Sequence, residues 1–212
     1  MTTVETQNLS KIIKGNTVID DVSIIMTSGA IYGIEGKNGS GKTMLFRLLS
    51  GLVLPTSGAI LYSGKTLHKE IASPPSIGVT IENMGLYSEF TGLRNLQYLA
   101  SIRKCINTDC ILKAIARVGL DPCDKRIVKK YSLGMRQRIV LAQAFMESPD
   151  ILLLDEPMNG LDESGVETIR KVLMEEADRG ALILISSHNR DDIDLLCQVK
   201  YSMANGRLEL QK

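Results

Sequence analysis

The chain lacks long hydrophobic runs, an excess of charge of either sign and paired cysteines. Apolar runs such as Ile151 to Leu154 are far shorter than the roughly 20 residues that span a bilayer. The N-terminal segment MTTVETQNLSK has no signal-peptide core. We therefore expect a soluble chain that is not exported.

Charge and cysteine content exclude further classes. The 25 Lys and Arg residues balance 24 Asp and Glu residues, so the overall charge gives no indication of a nucleic-acid or acidic partner. No C-x-x-C pair is present, and only His68 and His188 are available to complete a metal site. We expect ordinary thiols in a reducing cytoplasm instead of zinc or disulfides. The four cysteines are Cys105, Cys110, Cys123 and Cys197.

The most informative segment present is Gly36 to Thr43, GKNGSGKT, which fits the phosphate-binding pattern G-x-x-x-x-G-K-[ST]. Its glycines let backbone N–H groups turn inward, and a helix beginning near Lys42 adds its positive end. Lys42 is expected to reach the β and γ phosphates, and the Thr43 hydroxyl to ligate Mg²⁺. The predicted nucleotide-binding residues of this segment are Gly36, Asn38, Gly39, Ser40, Gly41, Lys42, Thr43 and Met44.

Two carboxylates follow a buried strand predicted at Ile151 to Leu154. Asp155 and Glu156 therefore lie just beyond the carboxyl end of that strand, where parallel sheets hold ligands. We expect Asp155 to hold Mg²⁺, directly or through a water, and Glu156 to take a proton from the water that attacks the γ phosphate.

The remaining pattern predicts an α/β fold. Val4–Leu9 and Thr17–Met26 favour a small antiparallel layer. Residues 83–146 read mainly as helices, and Ala181–Ser186 returns to a buried strand after a helix near Gly165–Ala177. We predict one domain spanning 1–212, with a RecA-like core, a small antiparallel β subdomain and an inserted helical subdomain at 83–146.

A second anion site is a further interpretation of the segment YSLGMRQR at residues 131–138. Ser132 is a good N-cap, and Gly134 permits close backbone approach to the start of a helix. On its own, the segment is more often a simple capped helix.

The order of these motifs resembles the nucleotide-binding domains of ABC transporters over nearly the whole chain. The resemblance implies that Ser132 and Gly134 belong to the signature motif, which binds the γ phosphate held by a partner subunit's phosphate loop. Catalysis would then need a head-to-tail dimer, formed with a second copy or a related subunit. Asn159 to Asp162 matches the D-loop that crosses this interface, and His188 matches the switch histidine that orients the attacking water.

Two departures from the family pattern indicate which members of the family the chain resembles. The signature reads YSLGM instead of LSGGQ, which looks like exporter ATPases that pair with separate permease chains. Glu82 replaces the usual Q-loop glutamine, as in bacitracin-resistance and lantibiotic-immunity exporters. Its charge would either help to hold Mg²⁺ or repel the nucleotide. We expect Glu82→Gln to leave nucleotide binding largely intact but to alter turnover or coupling to the permease.

Two other segments bear on nucleotide and partner recognition. The family usually places an aromatic residue near Ile13 to stack on adenine, so this chain is expected to bind the base less selectively. Met84 to Phe90 corresponds to the groove that receives a permease helix, although packing within the helical subdomain is the alternative.

The resemblance therefore implies an ATPase that uses ATP and Mg²⁺ to energise export through separate permease chains. It would be cytoplasmic and peripheral on the inner face of the membrane, with no nucleic-acid partner. Two alternatives stay open. One is a soluble ABC-type ATPase acting on ribosomes or DNA, and the other is a small-molecule kinase, against which Asp155-Glu156-Pro157 and His188 argue.

Overall fold

The computed structural model describes residues 1–81 and 85–211. Its strands are β1 (Thr3–Ile13), β2 (Asn16–Thr27), β3 (Ile31–Glu35), β4 (Ser57–Tyr62), β5 (Lys65–Thr66), β6 (Ile77–Thr80), β7 (Ile151–Leu154), β8 (Leu182–Ser187), β9 (Val199–Ala204) and β10 (Arg207–Leu210). Its α-helices are α1 (Lys42–Leu49), α2 (Gly92–Arg103), α3 (Thr108–Arg117), α4 (Leu133–Phe145), α5 (Glu163–Asp178) and α6 (Arg190–Leu196). A short 3₁₀ helix spans Val128–Lys130.

The central sheet has six strands in the order β10-β9-β3-β8-β7-β6. Every pairing from β9 to β6 is parallel, and only β10 pairs antiparallel, with β9. The predicted buried strands at β7 and β8 are confirmed, since every residue in both is buried. Strands apolar on both faces are what a sheet covered on both sides requires.

Two hydrophobic cores lie on opposite faces of this sheet. Along β7 the side chains alternate, so that Leu152 and Leu154 join the core under α2 to α5, whereas Ile151 and Leu153 join the core that contains α1. The second core is closed by a four-stranded antiparallel sheet in the order β2-β1-β4-β5. The predicted antiparallel layer at the N-terminus is thus confirmed.

Parallel register brings the functional loops to one edge. Glu35 of β3 pairs with Ser187 of β8, and Leu154 of β7 pairs with Ile185 of β8. The carboxyl ends of three adjacent strands therefore meet, and the residues that follow them share one site.

Between β6 and β7 the described residues form α2, α3, the 3₁₀ turn and α4. The mainly helical character predicted for residues 83–146 corresponds to α2, α3 and α4. The first residues of the predicted insertion, 83 and 84, lie outside the described residues. Within residues 1–81 and 85–211, no helix is long and apolar enough to cross a membrane.

Candidate functional site

Glycines shape the phosphate loop between β3 and α1. Gly39 and Gly41 have φ of 81° and 114°, in the left-handed region that favours glycine. A Cβ on Gly36 would lie 2.6 Å from the Met203 carbonyl oxygen and 2.7 Å from Ser40 Oγ. The loop therefore has no room for a side chain at Gly36, and its turn leads directly into α1, whose N-terminal N–H groups favour an anion.

Lys42 is the buried cation of this loop, with 6% of its surface exposed. Its Nζ donates to the Gly36 carbonyl oxygen at 2.5 Å and to the Lys37 carbonyl oxygen at 3.4 Å. Glu156 Oε1 lies 3.6 Å from the same nitrogen. Loop carbonyls and one carboxylate thus hold the ammonium in place at the mouth of the loop.

Thr43 and Asp155 meet across the sheet edge. Thr43 Oγ1 donates to Asp155 Oδ2 at 2.6 Å, and Ser186 Oγ donates to Asp155 Oδ1. The same serine hydroxyl accepts the Glu156 backbone N–H at 2.9 Å. Ser186 is fully buried, so one hydroxyl fixes both consecutive acidic residues. From the sequence, Ser186 was predicted only as the last residue of a buried strand, without a functional role.

Glu156 has an unusual backbone and two side-chain partners. Its φ is 50°, which is uncommon for a residue with a side chain and which clusters at functional sites. Its Oε2 lies 2.7 Å from His188 Nδ1 and accepts the His188 backbone N–H at 3.3 Å. Lys42, Glu156 and His188 therefore form one continuous contact group, as the motif order predicts for a single site.

A cleft of about 410 Å³ opens beside this group. It is lined by Val18, Lys37, Asn38, Gly39, Gly41, Lys42, Thr43, Met44, Arg47, Asp155 and Glu156. Gly36, Ser40 and His188 line a neighbouring cleft instead, on the side of the loop that faces β9. Of the eight predicted residues of the phosphate loop, six thus line one cavity, and Gly36 and Ser40 line the neighbouring one.

The oxygen donors of Thr43 and Asp155 fit Mg²⁺ in part. Within residues 1–81 and 85–211 there is no cluster of three or more His, Cys, Asp or Glu side chains suited to a metal ion. Mg²⁺ is commonly bound by one or two carboxylates together with substrate phosphates and waters. The site therefore suits an ion that arrives with a phosphate ligand, whereas it does not provide a complete protein cage.

The signature segment lies at the start of α4. Ser132 caps this helix by accepting the Met135 backbone N–H at 3.1 Å, which confirms the predicted N-cap. A Cβ on Gly134 would lie 2.9 Å from the Gly160 carbonyl oxygen, so the segment abuts residues 159–161. Ser132 is exposed, and neither Ser132 nor Gly134 lines the phosphate-loop cleft in the described part of the chain.

Residues 159–162 connect residues 155–158 to α5. Asn159, Gly160 and Leu161 border a cavity of about 420 Å³ that Glu156 and His188 also line. Hydrogen bonds from the Ser164 hydroxyl and the Arg138 guanidinium lower the pKa of Asp162. Arg138 Nη2 lies 2.5 Å from Asp162 Oδ1, which ties α4 to this segment.

Two sequence predictions concern the Q-loop position and the residue expected to stack on adenine. Glu82, predicted at the Q-loop position, lies outside the described residues, as does Met84. Ile13, at the position of the expected stacking aromatic, is 37% exposed and does not line the phosphate-loop cleft. Val18 is the β2 residue that borders the cleft.

Comparison with known proteins agrees with the motif order. The ABC transporter family model matches residues 19–159. The chain is 49% identical over 206 residues to the uncharacterized ABC transporter ATP-binding protein YybJ of Bacillus subtilis (strain 168), covering 97% of this chain and 94% of that protein. It is 38% identical over 207 residues to the bacitracin transport ATP-binding protein BcrA of Enterococcus faecalis, covering 97% and 67%. It is 34% identical over 206 residues to the lantibiotic transport ATP-binding protein SrtF of Streptococcus pyogenes, covering 97% and 89%.

A solved structure supports the fold. The dimeric structure of MJ0796, described as a bacterial ABC transporter cassette, matches with a TM-score of 0.88 at 20% identity, covering 99% of each chain. At this identity the likeness concerns the fold alone. The predicted fold class, a P-loop core with a small antiparallel sheet and added helices, is confirmed, as is the resemblance on which it was based.

Proposed function

The chain belongs to the ABC transporter family as one of its ATP-binding subunits, and from this premise we propose that it energises export through separate permease chains. As a member of that family it is an ATPase. The observation that carries the proposal is the continuous group formed by Lys42, Glu156 and His188 at one sheet edge, to which Ser186 joins Asp155. Residues 83–146 are proposed to act as its helical subdomain, which presents the signature segment.

Each side chain of this group has a role in hydrolysis. Lys42 would exchange its loop carbonyl partners for the β and γ phosphate oxygens. Glu156 would accept the proton of the attacking water, because its carboxylate is held 3.6 Å from the Lys42 ammonium and stays accessible, with 23% of its side chain exposed. His188 contacts Glu156 at 2.7 Å and would orient that water and contact the γ phosphate.

Mg²⁺ would be held by Thr43 Oγ1 and Asp155, with phosphate oxygens and waters completing the set. When bound, it would neutralise charge that develops on the phosphates. Glu82 is also proposed to act near the Mg²⁺ ion. The variant Glu82→Gln tests whether its charge helps to hold the ion or repels the nucleotide.

A head-to-tail pair follows from the position of the signature segment. Ser132 and Gly134 lie beside residues 159–161 and outside the phosphate-loop cleft of their own chain. A second subunit, either another copy or a related ATP-binding chain, would present its signature segment to this cleft and receive the same in return. The MJ0796 cassette, which shares this fold, is itself described as dimeric.

The permease would contact the surface around α2. Tyr87, Phe90 and Tyr98 form an aromatic cluster with ring centroids 5.2 to 6.4 Å apart, and Tyr87 and Tyr98 are about half exposed. A groove of about 270 Å³ lies further along α2, beside Leu99 and Ile102. An amphipathic helix of a membrane subunit would suit this surface, which would place the chain on the inner face of the membrane.

The cargo is proposed from the relatives. BcrA is named for bacitracin transport and SrtF for lantibiotic transport, and both bacitracin and lantibiotics are peptide antibiotics. We therefore propose a peptide antibiotic as cargo, with its selection made by the permease chains.

Glu156→Gln tests the catalytic assignment. The variant should bind ATP with unchanged affinity while kcat falls by a factor of about 10² to 10⁴, because the amide cannot accept the proton. ATP should also shift the variant from monomer to dimer in light scattering. Glu175→Gln is a control, since Glu175 lies on α5 with 62% of its side chain exposed and away from the cleft. Full activity of Glu156→Gln would remove Glu156 as the base.

A further inference from the structure

A buried ion pair joins α5 to α6 next to the active-site loop. Arg170 Nη2 donates to Asp192 Oδ1 at 2.6 Å. The side chain of Asp192 is 8% exposed and that of Arg170 is 26% exposed, and both line the cavity that Glu156 and His188 border. The proposed steps of hydrolysis do not use this pair. Taking its charges partly out of water costs desolvation free energy, so we asked what else the pair does.

The pair connects to the loop that carries His188. Asp192 Oδ2 lies 3.5 Å from Ser187 Oγ, and Ser187 Oγ accepts the Asn189 backbone N–H at 3.0 Å. These contacts hold the backbone on both sides of His188. The His188 ring itself is 61% exposed, and its Nδ1 contacts Glu156 Oε2. The backbone of this loop, together with the Glu156 contact, therefore sets the direction in which the ring points.

Helix α6 is too short to hold this loop by itself. It has seven residues, Arg190 to Leu196, and its buried apolar residues are Ile193 and Leu196, in its second turn. Its first turn is attached to the rest of the core through Asp192. Without Arg170, Asp192 would lose its 2.6 Å partner, and the first turn would be free to shift.

We propose that Arg170 is a positioning residue for ATP hydrolysis, acting through Asp192 and Ser187 to fix the backbone that directs His188 toward Glu156. The proposal rests on the proposed role of His188. A displacement of about 1 Å at such a residue can lower the rate by about 10²-fold. The effect is therefore expected in kcat, whereas the cleft that binds ATP does not include Arg170.

The test compares Arg170→Met with Arg117→Met. Arg117 is a matched control because its Nη1 also lies 2.6 Å from a buried carboxylate, that of Glu176, and its side chain is 33% exposed. Glu176 keeps Arg179 as a second partner and neither borders the active-site cavity. Arg170→Met should lower kcat by about 10- to 100-fold with KM for ATP changed by less than about twofold. Arg117→Met should leave both constants within about twofold.

A conservative variant separates positioning from packing. The contact with Asp192 uses one terminal nitrogen, and Arg170 Nε has no partner within residues 1–81 and 85–211. A single ammonium can therefore replace the contact, and Arg170→Lys should recover most of the lost kcat. If Arg170→Met folds poorly, the double variant Arg170→Met/Asp192→Asn removes both charges and should show the same loss of kcat.

Hydrogen exchange supplies a readout that needs no nucleotide. The backbone N–H groups of His188 and Asn189 are bonded to Glu156 and Ser187. Their exchange should accelerate in Arg170→Met and stay unchanged in Arg117→Met.

In a His188→Ala background, Arg170→Met should lower kcat by less than about twofold, because the residue it positions is absent.

The outcomes distinguish the two proposals. If His188→Ala keeps full activity, the proposed role of His188 fails, and the inference about Arg170 fails with it. If His188→Ala loses activity but Arg170→Met does not, or if the two losses multiply independently, only the inference about Arg170 is overturned. Unchanged exchange at residues 188 and 189 in Arg170→Met would also overturn it.

Discussion

Two buried hydroxyls near the same sheet edge should respond oppositely to removal. Ser186 Oγ donates to Asp155 and accepts the Glu156 backbone N–H. Thr80 Oγ1 is equally buried but has no hydrogen-bond partner within residues 1–81 and 85–211. The pair of variants Ser186→Ala and Thr80→Val therefore compares a satisfied hydroxyl with an unsatisfied one.

The magnitudes follow from those contacts. A hydrogen bond to a charged group contributes about 1.5 to 3 kcal/mol to stability. A buried N–H group left without a hydrogen-bond partner costs roughly 1 to 3 kcal/mol more. Ser186→Ala should lower the free energy of unfolding by about 3 kcal/mol, which corresponds to a Tm lower by about 6 to 12 °C for a chain of this size. Thr80→Val removes a buried polar atom without a partner and should raise the free energy of unfolding by about 1 kcal/mol.

Urea denaturation followed by circular dichroism measures both changes, and ATP hydrolysis provides the functional readout. Ser186→Ala should also lower kcat by about tenfold, because Asp155 and Glu156 lose their shared anchor. Thr80→Val should hydrolyse ATP like the parent chain. Equal stability changes in the two variants would refute the reasoning, since they would show that the contacts of the hydroxyl do not matter.

Three further predictions concern the nucleotide site and the thiols. Gly36→Ala should weaken ATP binding by more than about tenfold in titrations with a fluorescent analogue, because its Cβ would lie 2.6 Å from the Met203 carbonyl oxygen; unchanged affinity would contradict the close approach. ATP and GTP should bind with comparable affinity, since no aromatic side chain lines the phosphate-loop cleft in the described part of the chain, and a strong preference for ATP would count against this. Burial raises the pKa of Cys197 to about 12, so a maleimide should label the three exposed cysteines in the native protein and Cys197 only after unfolding; rapid labelling of Cys197 would contradict its burial.

Local patterns were sufficient for much of the fold. The phosphate loop, the buried strand before Asp155 and the Ser132 cap each depend on residues within a few positions of one another. Such short-range patterns carry their own structural signal, because glycine spacing, apolar runs and capping side chains act locally. The motif order then placed the chain in its family.

The C-terminal part was less predictable. No elements were predicted from the sequence for α6, β9 and β10, although β9 (VKYSMA) and β10 (RLEL) alternate apolar and polar residues as strands do. β9 is held by long-range pairing with β3, and β10 forms the edge of the central sheet. β6 was also unassigned, because its four residues become a strand only through pairing with β7.

The same limit applies to the site. Ser186 acquires its role because parallel pairing brings β8 beside β7, and Arg170 meets Asp192 only after α5 and α6 pack together. The positive φ of Glu156 also has no signal in the sequence. Residues that act through tertiary contacts were therefore missed, whereas the roles predicted for residues within motifs stay predictions.

The central claim is that this ATPase drives separate permease chains, and affinity purification of the membrane complex tests it most directly. The chain should carry Glu156→Gln, which is expected to hold the ATP-bound state, and should be isolated with ATP present before mass spectrometry. We predict that multispanning membrane chains co-purify with it in stoichiometric amounts. Recovery of ribosomal or DNA-associated partners, with no membrane chain, would contradict the transport role while leaving the ATPase assignment in place.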